Sequence, residues 1–460
     1  MKIRKKLLCL MSIITLVAGS FSGNIHAKEI VDWPQGPDTQ SAAAIVVEIE
    51  TGAILYEKNI HNVHYPASIT KIMTTLLALE NSDMQEVVTF SEDSVFKTEG
   101  SGIARDVGEQ MTMEQCLYAV MLESANECAY AVGEHVAGGS IDAFVNMMNE
   151  RATELGCLNT HFNNSNGLPD EQHYTTAYDM ALIAREAYLN EDFRTICGTK
   201  NYTIPFTNKH TDEETYLNNH HQMLFPLTTG KYLYEYCLGG KTGYTTVANS
   251  TLVTYAQKDG MTLACVVLNA PSGGHYEDTR GLFDFCFENF KMMNIEENET
   301  GYIQEEKKYA SFVDIDSSGS VVLPVTAKFE DMKSEIVYDN TDADVVGTIA
   351  YTYGERFVGG ADIIANDNIA IETFEFHPQD TEEVKGEDTT KEKTVKIPVS
   401  FIFKCIGIGI AVIVLIFLIW KFIDNFYLIK RKLNMNRRDK SPYKEIKKNK
   451  MYRRRRRTRF

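Results

Sequence analysis

Ser68 and Lys71 stand three residues apart in Pro66-Ala67-Ser68-Ile69-Thr70-Lys71, directly ahead of the apolar run Ile72 to Leu79. Residues three apart on a helix are neighbours on one face. A proline belongs to a first helical turn, so the helix begins close to Pro66, and Ile72, Met73, Leu76, Leu77 and Leu79 bury it. A hydroxyl and an amine then lie side by side at the positive end of an immobile helix. A serine becomes a nucleophile when a neighbouring base takes its proton. A lysine is such a base once burial, a nearby cation and the helix N-terminus lower its pKa. The same stretch also reads as an ordinary helix start with a capping serine and a solvated lysine.

Two further signals follow in chain order. Ser124-Ala125-Asn126 lies inside Met113 to His135, whose apolar periodicity predicts a helix. Polar groups set between Met121-Leu122 and Cys128-Ala129 must find partners or face a cleft. The plain alternative is a helix break or an internal cap. Lys241-Thr242-Gly243 leads into a predicted turn ahead of two late strands. There a glycine lets a substrate backbone approach, and Lys241 and Thr242 offer a cation and a hydroxyl to a carboxylate. The loop Asn159 to Thr176 adds Asp170 and Glu171. The chain has no C-x-x-C and its histidines are scattered, so the spacings predict neither a metal site nor a cofactor.

The elements that must position these residues are legible in outline. Ala42 to Glu50 and Ala53 to Lys58 flank Thr51-Gly52 as a hairpin, and Val87 to Phe90 is a short strand. Ile141 to Leu155 and Ala177 to Leu189 have helical periodicity. Residues 195–236 read as short strands and loops. Ser250 to Gln257 and Met261 to Ala270 form a second hairpin around Lys258-Asp259-Gly260, and Glu277 to Phe290 is a closing helix. Strands at both ends with helices between them predict one α/β body whose antiparallel sheet joins early and late segments. From about Asn294, short apolar runs at regular spacing predict a small all-β domain over 294–378.

Composition frames this body. Residues 1–27 carry a basic start, an apolar run and Ile25-His26-Ala27, which reads as a cleaved secretory signal, with a retained anchor as the alternative. Residues 379–396 form a charged stalk. Residues 397–423 are apolar enough to span a bilayer, with Lys404 able to snorkel, and 424–460 are a basic tail. A basic flank marks the cytoplasmic side, so a type I cell-membrane protein is expected, its body outside and its tail on anionic lipid. The net charge is −17, made of +4 over residues 1–27, −36 over 28–403 and +15 over 404–460. So acidic an outer body argues against nucleic acid as its partner. Its seven cysteines are odd in number and irregularly spaced, which fits buried thiols.

Taken together, the three polar motifs are those of serine β-lactamases and penicillin-binding proteins. Over most of residues 40–290 the chain resembles the low-molecular-mass penicillin-binding D-alanyl-D-alanine carboxypeptidases. The likeness covers Tyr65 to Thr74, Asn166-Gly167-Leu168, His173 to Asp179 and Gly240 to Thr245. It implies a transpeptidase-like α/β (α+β) catalytic domain over 28–293, with an antiparallel sheet and a helical subdomain. Ser68 would attack the bond between the two terminal D-alanines of a peptidoglycan stem peptide, with Lys71 as base. Ser124 would relay a proton to the leaving D-alanine, and Asn126 would hold the peptide and Lys71. Lys241 would keep the site cationic and Thr242 would grip the terminal carboxylate beside Gly243, and the backbone N–H groups of Ser68 and Tyr244 would form an oxyanion hole. β-Lactams would be covalent inhibitors. Arg280 is the nearest counterpart of a basic residue that helps bind carboxylate in relatives. Relatives often carry glycine where Asn249 follows Ala248, which bears on the local sheet packing. A class A β-lactamase and an inactive wall-binding scaffold are the alternatives.

Overall fold

Five antiparallel strands form the central sheet: β1 (Ala43–Glu48), β2 (Ile54–Lys58), β3 (Cys237–Thr245), β4 (Asn249–Lys258) and β5 (Met261–Ala270), in the order β2-β1-β5-β4-β3. The structure is a computed structural model and describes residues 32–298, 313–337 and 345–365. The early hairpin pairs with the last strand of the late one, with Ala43 opposite Leu268 and Glu48 opposite Leu263. All six residues of β1 are buried. Ala43, Ile45 and Val47 face one core and Ala44 and Val46 the other, as the two-residue side-chain period of a strand requires. The sheet is thus covered on both faces.

One face carries the helices α1 (Lys71–Asn81), α2 (Met113–Tyr118), α3 (Asn126–Val136), α4 (Ile141–Glu154), α5 (Ala177–Leu189) and α6 (Glu191–Gly198). Ile72, Met73, Leu76 and Leu77 of α1 are buried in this core, each contributing roughly 1.5–3 kcal/mol. The opposite face is covered by α7 (Gly274–Asn289), through Leu282, Phe283 and Cys286.

Three local expectations need correction. The helix expected over Met113 to His135 is broken. Wide turns run over Ala119–Glu123, Ser124 takes φ +61°, and α3 restarts at Asn126. Periodicity cannot reveal this break, because both halves bury the same kind of face. Gly243 does not precede a turn; β3 continues through it to Thr245. Within residues 195–236 the chain ends a helix, α6, whose Asn190 side chain accepts a hydrogen bond from the Phe193 N–H as an N-cap. Only then does it form the ribbon Asn201–Ile204 with Thr215–Asn218.

Asn249, the position where relatives often have glycine, adopts φ +53°. Asparagine tolerates that conformation better than most residues, and its Nδ2 donates to Asn269 Oδ1 at 2.8 Å. Asn249 stays opposite Thr245 of β3, whereas the register against β5 shifts just beyond it, between Ser250 and Leu252.

A second sheet contains β6 (Phe290–Asn294), β7 (Val313–Ile315), β8 (Ser320–Pro324), β9 (Lys333–Val337), β10 (Val345–Tyr353) and β11 (Arg356–Ala365), in the order β6-β8-β11-β10-β9, with β7 also on β11. The boundary expected after residue 293 falls inside β6, which follows α7 directly. Trp33 joins the sheets, with its ring 5.0 Å from Phe290 and 6.4 Å from Tyr353, and Arg356 stacks on it.

Among the described residues no helix is long and apolar enough to cross a membrane. The segments expected as signal (1–27), stalk (379–396), span (397–423) and tail (424–460) lie outside those residues. The seven body cysteines are free and buried. Burial pushes the thiols up, to about 12 at Cys157, Cys237 and Cys265.

Candidate active site

The nucleophile candidate sits on a strained turn. Ala67 has φ +52°, a conformation that non-glycine residues hold only when their surroundings impose it. Here Thr251 Oγ1, from β4, donates to Pro66 O at 2.8 Å. Gly167 packs so closely that a Cβ there would lie 2.0 Å from Ala67 O. Residues Ala67–Thr70 then make one 3-10 turn that runs into α1. Thr70 is fixed from below by His173, whose Nδ1 accepts from Asn163 N at 2.9 Å. Its Nε2 therefore carries the proton and donates to Thr70 Oγ1 at 2.8 Å. Burial holds this imidazole neutral, with its pKa lowered to about 3.

Lys71 is wholly buried, with Nζ 3.2 Å from Ser68 Oγ, 2.7 Å from Asn126 Oδ1 and 2.6 Å from Asn166 O. Burial, and then the nearby Lys241 cation, hold its pKa well below the ordinary lysine value, against the pull of Glu127. Asn126 is oriented by its Nδ2 bond to Glu99 O, and its N–H donates to Ser101 O at 2.8 Å. The break at Ser124 places that serine on the cleft wall. Its Oγ is buried and has no hydrogen-bond partner.

β3 supplies the opposite wall. Lys241 is buried, with Nζ donating to Thr242 O at 3.0 Å, and burial lowers its pKa to about 7. Thr242, Gly243 and the exposed Tyr244 line a cleft of about 430 Å³ together with Ser68, Ser101 and Ser124. A Cβ at Gly243 would lie 2.3 Å from Thr251 Oγ1 and 2.9 Å from Ser68 N. The absence of a side chain there lets the strand press against the nucleophile's own amide.

Ser68, Lys71, Ser124, Asn126, Lys241, Thr242, Gly243 and Tyr244 thus converge from three distant stretches of chain. Arg280 does not join them. Its guanidinium donates to Leu233 O at 2.6 Å and Lys231 O at 3.3 Å, and it is not among the residues lining the cleft. It pins the 231–233 segment instead; a loose alignment by sequence could not distinguish the two roles. The far end of the cleft is formed by His220, Gln222, Ser272, His275 and Tyr276.

Several supporting groups carried no signal of their own in the sequence: the Asn166 carbonyl, Thr251 and Glu123, which pairs with His220 at 2.9 Å. Asn166-Gly167 was the available hint, since a glycine in a polar loop marks a close backbone approach. Away from the cleft, Asp106, Glu109 and His210 bring ligand-type atoms within 4.8 Å of one another, a grouping that sequence spacing could not show. Arg105 already binds Glu109, at 2.8 Å.

The sequence matches the family described as D-alanyl-D-alanine carboxypeptidase over residues 30–272. It is 33% identical to the Bacillus subtilis D-alanyl-D-alanine carboxypeptidase DacF over 319 residues, covering 66% of this chain and 78% of that protein. A crystal structure of a Streptomyces DD-transpeptidase, 29% identical, superposes with a TM-score of 0.51 over 55% of this chain and all (100%) of that one. The D-alanyl-D-alanine carboxypeptidase DacD from Francisella tularensis shares the fold at 23% identity, with a TM-score of 0.55 over 74% of this chain and 96% of that one. With this match over more than half its length, and a serine–lysine pair set in a cleft of that fold, the chain belongs to the D-alanyl-D-alanine carboxypeptidase family of serine peptidases.

Proposed function

We propose that this protein removes the terminal D-alanine from peptidoglycan stem peptides through an acyl-enzyme on Ser68. One observation carries the reading: a buried amine with a depressed pKa lies 3.2 Å from a half-exposed serine hydroxyl in the cleft. Neutral Lys71 takes the Ser68 proton as Oγ bonds to the carbonyl carbon of the penultimate D-alanine. The amide N–H groups of Ser68 and Tyr244 receive the developing oxyanion. As the C–N bond breaks, Ser124 passes a proton to the departing amine. Lys241 and Thr242 bind the terminal carboxylate, and Asn126 holds both the peptide and Lys71. Water then hydrolyses the ester.

β-Lactams acylate the same serine. Neither Asp170 nor Glu171 lines the cleft with Ser68, which supports slow clearance of the ester over β-lactamase action. The test is a labelled penicillin together with D-alanine release from a pentapeptide. Both are expected in the wild type and neither in Ser68→Ala. Residual release from a clean Ser68→Ala preparation overturns the assigned nucleophile.

The same reading places the body, with catalytic residues 28–293 and β-rich residues 294–378, on the wall side of the cell membrane. It would be carried there by the signal at 1–27 and held by the span at 397–423. The stalk, apolar run and basic tail in the sequence support this. A chain truncated after Gln379 is expected in the soluble fraction with full penicillin labelling, and the full-length chain with the membrane. Soluble full-length protein would overturn the anchor.

A further inference from the structure

Two stretches of chain distant in sequence meet away from the cleft. The segment entering Gln110–Thr112, which pairs with Val87–Thr89 as a short ribbon, carries Asp106 and Glu109. The connection between Asn201–Ile204 and Thr215–Asn218 carries His210. Asn208 ties the two together: its Oδ1 accepts from Gln110 N at 2.8 Å, and its Nδ2 donates to Gly108 O at 2.9 Å.

The spacing within this group is not that of hydrogen bonds. His210 Nε2 stands 3.6 Å from Asp106 Oδ2 and 3.6 Å from Glu109 Oε2. This nitrogen is buried and has no hydrogen-bond partner, which is rare for a buried polar atom. A charge-assisted bond to either carboxylate would close to about 2.8 Å. Atoms around a tetrahedral zinc ion, each about 2.1 Å from the metal, stand about 3.4 Å apart. The observed separations match the second pattern.

Glu109 is held ready for such a contact. It is wholly buried, and its Oε1 accepts from Arg105 Nη1 and Thr207 Oγ1, both at 2.8 Å. Its Oε2 accepts from Asp106 N at 2.9 Å, which leaves one of that oxygen's two lone pairs. Arg105 thus orients the carboxylate without closing it. On the other side of the imidazole, Glu213 Oε1 faces Nδ1 at 3.7 Å. A carboxylate behind the ring is a usual outer partner of a metal-bound histidine.

We propose that Asp106 Oδ2, Glu109 Oε2 and His210 Nε2 bind one divalent cation of the zinc type, which staples the two stretches of chain. An imidazole among the ligands suits zinc, whereas magnesium and calcium take oxygen ligands. Asp106 is exposed, so water completes the coordination. The staple is separate from the Ser68 chemistry and does not depend on it.

The test uses the full chain in detergent, free of any tag and stripped with a chelator, then dialysed against micromolar zinc. One zinc per chain is expected, with a higher thermal midpoint and slower proteolysis of residues 205–214. Magnesium or calcium at the same concentration should do neither. Asp106→Asn and His210→Ala should each weaken zinc binding by roughly 100-fold and remove the rise in midpoint, and Glu213→Gln should weaken it about 10-fold, the scale of an outer partner. These substitutions change exposed or half-buried side chains, and unchanged far-ultraviolet dichroism checks that each variant folds. A wild type that binds no zinc, or folded Asp106→Asn and His210→Ala variants that bind it as tightly, overturns the site. Equal stabilisation by magnesium or calcium overturns its assignment to zinc.

Discussion

Lys71 meets three oxygens, and their distances sort its hydrogen-bonding capacity. A neutral amine has two N–H donors and one lone pair. The two shorter contacts, to Asn126 Oδ1 and Asn166 O, use the donors, and the 3.2 Å contact leaves the lone pair to the Ser68 hydroxyl. Acylation therefore rises with pH through the lowered pKa of Lys71. Lys241 acts in the opposite sense, since it binds a carboxylate only while charged, and its pKa is lowered to about 7. The kcat/KM profile for peptides is thus expected to be bell-shaped, and Lys241→Arg should move its alkaline limb upward. A limb that stays in place in Lys241→Arg excludes Lys241 as its origin. A stability effect follows from the same shift. The folded-state pKa of Lys241 lies below its unfolded value, so between the two the unfolded chain binds more protons and stability rises with pH. The burial penalty is full below about pH 7 and fades toward the unfolded pKa. Lys241→Met should therefore raise the thermal midpoint by a few degrees at pH 6, by less at pH 9, while abolishing peptide turnover. Calorimetry at the two pH values checks the sign.

At the scale of elements, the site depends on how closely β3 approaches the Ala67–Thr70 turn. Only a glycine at 243 fits between Thr251 Oγ1 and Ser68 N. Gly243→Ala should leave far-ultraviolet dichroism unchanged and slow penicillin acylation about 100-fold, because it displaces an oxyanion donor rather than a core group. Acylation at the wild-type rate would show that the strand can yield. The left-handed Ser124 and Ala67 belong to the same picture: both are non-glycine residues in a conformation their neighbours impose, and both stand at the site.

Across the whole molecule, the second sheet is joined to the first through Trp33, Phe290 and Tyr353, and through an exposed Arg356–Glu57 pair at 2.8 Å. Exposed pairs contribute little, so the junction is carried by the aromatic contact together with Val322 and Met292 of the second sheet, which pack into the core under the first. Trp33→Ala should cost on the order of 1–3 kcal/mol at the junction and speed proteolysis of residues 290–365, with Ser68 labelling intact. Loss of labelling would mean that the second sheet supports the cleft.

The sequence by itself determined the fold class, the three polar motifs and most element boundaries of the catalytic body. Local signals are enough for these: α5 lies where its periodicity places it, and β5 likewise. It also marked Ser68 and Lys71 as a pair, because helical spacing alone makes them neighbours. The tertiary structure decided the rest. The Asn166 carbonyl reaches Lys71 across 95 residues, and the Thr251 hydroxyl reaches Pro66 across 185. The break at Ser124 is set by the contacts around it, and Arg280 turned from a proposed carboxylate ligand into a clamp on a loop. A backbone carbonyl has no side-chain signature, and a long side chain can reach either of two neighbours. Such roles follow from which chain segments the packed core brings together.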